Sequence, residues 1–168
     1  MDWSILNFNA MRELYNLHPM WVHFPVALLP SALLLYVLAH LLKRPSLGAS
    51  ARICLYLGTL GSVAAAISGW LGESSIPHNE TIHHMMQTHK MTGIGVAVVF
   101  LLLSAMSYRK FDVEGKLRWV FYSVLLFGNV FVALNADLGA RMVYVEGAGV
   151  KAAVPAVSEG HDHGAHEH

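Results

Sequence analysis

Long apolar runs separated by short polar intervals set the pattern of this 168-residue chain. Residues 21–42, 53–71, 91–108 and 119–138 are apolar nearly throughout. A helix needs roughly 20 such residues to cross the hydrocarbon core of a bilayer. Backbone N–H and C=O groups find no water there, so each run is expected to be continuous helix. The pattern predicts an all-α protein, a transmembrane four-helix bundle. Lys43, Arg44 and Arg52 lie between or at the edges of the first two runs, and Arg109, Lys110, Lys116 and Arg118 between the last two. The other cations, Arg12, Lys90, Arg141 and Lys151, are spread over much longer segments. Short loops rich in Lys and Arg stay on the cytoplasmic side. Both termini and the 72–90 interval are therefore expected on the outer side, which is the periplasm in a two-membrane bacterium. The first 17 residues lack a basic start, an apolar block and a cleavage site, so the first run is expected to act as its own insertion signal.

Within the runs, Gly61, Ala65 and Gly69 recur every four residues and form a smooth ridge. Such a ridge lets helices approach closely in lipid; the alternative is room for a flat cofactor. Pro30 removes a backbone hydrogen bond from the first run and predicts a kink. Asn129, Asn135 and Asp137 in or near the fourth run are expected to face the bundle interior. The flanks read differently. Residues 1–20 mix Trp3, Phe8, Met11 and Tyr15 with polar residues and read as an interfacial segment. Residues 21–150 form the membrane domain. Residues 151–168, "KAAVPAVSEGHDHGAHEH", are small, polar and His-rich, and read as a disordered tail.

Composition sharpens the class. Charged residues make up only 13% of the chain, against about 25% in soluble domains. The lipid bilayer is thus the first partner, and the expected place is the bacterial inner (cytoplasmic) membrane, crossed several times. A net charge of zero leaves no nucleic-acid footprint. Cys54 is the one cysteine, and without a Cys-x-x-Cys-His sequence covalent haem attachment is excluded. No Gly-rich phosphate loop or Ser-His-Asp set is legible. The anomaly is histidine, with 11 residues matching the 11 Lys and Arg together.

Topology sorts those histidines. His18 and His23 stand at the outer mouth of the first run, and His78, His83, His84 and His89 precede the third. Only His40 is expected at the cytoplasmic end, roughly 25 Å from His23 at helical rise. The first and third runs cross in the same direction. His18 and His23 are five apart, as are His84 and His89. Aligning the runs puts His23 and His89 at one depth, with His18 and His84 further out. Facing imidazoles at one depth are how bundles build cofactor sites, and haem iron takes two axial histidines. The expectation is one haem b on His23 and His89, or two if His18 and His84 form a second pair. Trp70, Tyr144 and Arg141 lie near the same boundary and are expected to line the cofactor, Arg141 as a bidentate partner for its carboxylates. Copper is the alternative. "HHMMQTHKM", residues 83–91, mixes imidazoles with thioethers, which suit Cu(I), so His83 joins His18, His23, His84 and His89 as a candidate metal ligand. For each histidine alone, simple anchoring at the interface is the plainer reading. "NET" at 79–81 matches a glycosylation sequon, a weak pattern.

"HPMWVHFP", residues 18–25, and "ARMVYVEGAGV", residues 140–150, carry a resemblance. They resemble the opening and closing blocks of the domain of unknown function 2231, a family of small bacterial four-span membrane proteins. The opening block fits His-Pro-x-x-Val-His-Phe-Pro at every fixed position. In the closing block Val143, Tyr144, Gly147, Gly149 and Val150 match, while Arg141 replaces a usual Glu and Glu146 a usual His. If that family His is a ligand, this chain lacks it. His89 fits a further family feature, a His at the start of the third span. Some relatives look like b-type haem proteins or occur beside cytochromes, which favours haem. Three readings follow. One is a b-type haem protein passing electrons between membrane quinol and a periplasmic carrier such as a cytochrome. The second is a metal-handling membrane protein facing the periplasm, and the third a cofactor-free subunit of a respiratory complex. The sequence does not separate an enzyme from an electron conduit.

Overall fold

The computed structural model describes residues 17–76, 78–109 and 115–149. The expected interfacial segment up to residue 16 and the His-rich tail lie outside the described residues. Four long helices form the fold: α1 (His23–Leu41), α2 (Pro45–Gly72), α3 (Glu80–Arg109) and α4 (Gly115–Tyr144). A one-turn helix, His18–Trp21, precedes α1, and a 3-10 turn, Glu73–Ser75, follows α2. All four, counting the first from His18, are long and apolar enough to cross a membrane. Packing pairs α1 with α2, α2 with α3, α3 with α4, and α4 back with α1. The result is a ring of helices running alternately up and down, with α1 and α3 on one diagonal.

Three of the helices begin well before the apolar runs do. Pro45 opens α2 at its first turn, where a missing N–H costs nothing. Arg44 before it is extended, as a residue preceding proline prefers. The start of α3 is capped by Asn79, whose Oδ1 accepts the Ile82 N–H at 2.9 Å, with Glu80 in the first turn. Residues 83–90, in the interval between the second and third apolar runs, therefore lie on helix. Asn79, the sequon asparagine, works here as the cap. At the far end α4 runs to Tyr144, and Gly147, with φ +71°, reverses the chain so that Ala148 N–H reaches Met142 O at 2.8 Å.

Pro30 lies inside α1 without interrupting it. The interruption falls at Val22, between the one-turn helix and α1. Pro25 has no N–H to offer the Trp21 carbonyl four residues back, and the helical ladder loses its bond there. The core is a seam of Leu29, Ala32, Leu55, Val96, Phe100, Leu103, Phe121, Leu125 and Val132. On the small-residue ridge, Gly61 lies against Phe24 and Pro25, so a side chain there would push α1 away from α2. Midway along, Thr59 donates to Leu55 O at 2.7 Å and meets Ser104 Oγ at 2.9 Å, tying α2 to α3. Asn129 bonds within its own helix, to Leu125 O at 2.8 Å. Asn135 does cross, its Oδ1 receiving the Thr92 hydroxyl of α3.

Candidate functional site

At the end of the bundle where α2 finishes and α3 begins, a cavity of about 490 Å³ opens between all four helices. Its volume lies within the span of about 300–1,000 Å³ typical of small-molecule sites. Its walls are mostly apolar, and its inner end reaches the core at Val96 and Val132. Two imidazoles meet in it. The rings of His18 and His89 lie edge to face, 5.8 Å between centroids.

Each ring is held in the same way. His18 Nδ1–H donates to Ala65 O of α2 at 2.8 Å, and His89 Nδ1–H to Asn135 O of α4 at 3.1 Å. A carbonyl only accepts, so in the neutral ring the proton sits on Nδ1 and Nε2 is the lone-pair nitrogen. Each ring also lies against a glycine. A Cβ on Gly69 would stand 2.9 Å from His18 Nδ1, and one on Gly139 3.1 Å from His89 Cε1. The Gly61–Ala65–Gly69 ridge thus serves two purposes. Its inner end lets α1 approach, and its outer end seats an imidazole. Nδ1–H on a backbone carbonyl with Nε2 as the donor atom is the state in which histidine ligates metal.

The partners differ from the depth-matched pairs. His89 faces His18, whereas His23 is exposed on the cavity wall and His84 lies outside the cavity. The reason is rotational. Five helical residues turn the chain through about 500°, leaving the two side chains about 140° apart. With His89 turned inward, His84 is turned away, 75% exposed and 3.2 Å from Glu80 Oε1. With His18 turned inward, His23 is not. The His18–Trp21 turn packs against α2.

The other candidate residues divide. Trp70 and Tyr144 line the cavity, both largely exposed, while Arg141 is exposed and not among the lining residues. His83 is engaged elsewhere. His78 Nδ1–H donates to Ile76 O at 2.6 Å, and His78 Nε2 then accepts from His83 Nδ1 at 3.2 Å. Among the described residues no group of three or more His, Cys, Asp or Glu is placed to hold a metal ion. Two cavity residues had not been singled out. Glu73 accepts from Gln87 Nε2 and from Lys90 Nζ, both at 2.7 Å. Their spacing of 17 residues carries no local signal.

Residues 14–152 match the model of a family described as a predicted membrane protein, DUF2231. The chain belongs to that family. No curated protein and no solved structure matches it. Both family blocks fall at the cavity end of this DUF2231 protein. The opening block forms the His18 turn and the start of α1. The closing block forms the end of α4 and the Gly147 reversal, which brings Ala148 and Gly149 to the cavity wall. Glu146, where the family usually has His, sits in that reversal, half-buried.

Proposed function

We propose that the cavity holds a haem b with His18 and His89 as its axial ligands, and that the protein carries electrons within the membrane. One observation supports this most. Two imidazoles, each tethered through Nδ1 to a backbone carbonyl and each backed by a glycine, face one another at an apolar cavity. These residues fit the group. Imidazole nitrogens suit haem iron, the tethers fix tautomer and orientation, and apolar walls suit a porphyrin. When bound, haem supplies one-electron chemistry. The protein's part is to hold both rings, and to keep water from the inner end with Val96 and Val132. The cation-rich connection at Lys43 and Arg44 lies at the opposite end from the cavity. Short cationic loops stay cytoplasmic, so on this reading the cavity opens on the outer face of a bacterial inner membrane. Quinol in the bilayer and a periplasmic cytochrome are partners of matching chemistry there.

The test is the visible spectrum of the full chain, purified after expression with ample haem, oxidised and reduced. A Soret band and a low-spin reduced spectrum are expected. His18→Ala and His89→Ala should each lose the low-spin form, and His40→Ala should keep it. A wild type without a Soret band overturns the reading. Stoichiometric copper in that haem-free protein would move it to metal handling.

A further inference from the structure

Among the cavity-lining residues, Glu73 and Lys90 bring formal charge to a mostly apolar wall. Their side chains are only 20% and 23% exposed, and they meet at 2.7 Å. Glu73 stands in the 3-10 turn that ends α2, and Gln87 and Lys90 are three apart on one face of α3. Both carboxylate oxygens are occupied, Oε1 by Gln87 and Oε2 by Lys90. The pair is thus asymmetric. The carboxylate is held from two sides, and it keeps the Gln87 donor if the ammonium turns. An ammonium has three N–H donors on a flexible stem, and Glu73 takes one of them. Lys90 and His89 both line the cavity. Arg141, the cation expected to meet a cofactor carboxylate, is exposed and outside the lining.

We infer that Lys90 receives a carboxylate of the cavity's ligand, with Glu73, anchored by Gln87, as the group that holds the ammonium until the ligand takes it. This rests on the haem reading, in which the carboxylate is a haem propionate. A charged hydrogen bond in a site shielded from water is among the stronger polar contacts. Here it would select an acidic macrocycle over a neutral one. Glu73 is the intramolecular competitor for the same donors.

Ferric haem b and its dimethyl ester, identical except for the two carboxylates, separate the possibilities. Each is titrated into the full chain in detergent and followed by Soret absorbance. Wild type is expected to bind the acid about tenfold tighter than the ester. Lys90→Met should bring the acid down to the ester's affinity and leave the ester unchanged, while Lys90→Arg keeps most of the preference. Glu73→Gln, by freeing Lys90, should widen it. Equal binding of acid and ester by wild type overturns the inference and leaves the haem reading standing. So does an equal loss of both in Lys90→Met, which marks a structural role. Binding of neither overturns both. Palmitate, a carboxylate without the macrocycle, should not displace bound haem at tenfold excess; displacement would assign Lys90 to a fatty acid instead.

Discussion

At one end of the bundle His18 and His89 face each other, each against a glycine and a backbone carbonyl. At the other end His40 is packed among rings, 5.6 Å from Trp119 and 6.1 Å from Tyr122 between centroids. Tyr36 lies there too, edge to face with Phe121 at 5.2 Å, its hydroxyl 2.9 Å from Ser107 Oγ. Both ends bring polar side chains toward the helix contacts. One gives them small neighbours and so leaves space around lone-pair nitrogens. The other gives them large neighbours, and the rings fill the space. The difference between a candidate site and a packed end lies in what surrounds the histidine, since the imidazole is the same.

The largest expected effect falls on the packed end. Phe121 is 1% exposed, and Phe121→Ala should cost about 3–5 kcal/mol of stability. Denaturant unfolding in micelles measures it, and the fraction that stays folded should keep wild-type haem affinity. Loss of haem by that folded fraction would mean the two ends are not separable. Next comes the cavity end. Gly139→Val forces a side chain against His89, at a stability cost of about 1–3 kcal/mol. The informative readout is haem binding, which should fall steeply; a valine variant with full affinity would show that the glycine seat is dispensable. Tyr36→Phe removes the hydroxyl bonded to Ser107 and should cost about 1 kcal/mol, again with the Soret titration unmoved. The smallest effect belongs to His84→Ala. This exposed residue should shift stability by no more than about 0.5 kcal/mol and leave the spectrum as it is. A lost low-spin spectrum would restore His84 as a ligand.

The four spans are legible because a run of about twenty apolar residues has few other uses. Their ends are less so, since Pro45 and Asn79 act from outside the apolar runs and only as local caps. Asn79 with Glu80 was a readable start signal, hidden by its match to a sequon. His18 and His89 are both visible as candidates in the sequence, but their meeting in one cavity is not. Depth alone cannot pair them, because a spacing of five turns one member of each pair away from the other. The members that face inward are the ones that meet Gly69 and Gly139, which make room on other helices. The contact between Glu73 and Lys90 joins two helices across a turn and leaves no trace in local spacing.

The two tethered imidazoles also act as a clasp. His18 reaches from the first helix to α2, His89 from α3 to α4, and the rings meet across the diagonal. Every helix at that end is thereby joined to the others through one point. Whatever fills the cavity binds the assembled bundle and not the opened one. At a hundredfold over its dissociation constant, such a molecule adds about 2.7 kcal/mol to the stability of the whole. The melting temperature of the purified protein therefore serves as a ligand detector, one that needs neither a chromophore nor a reaction to follow.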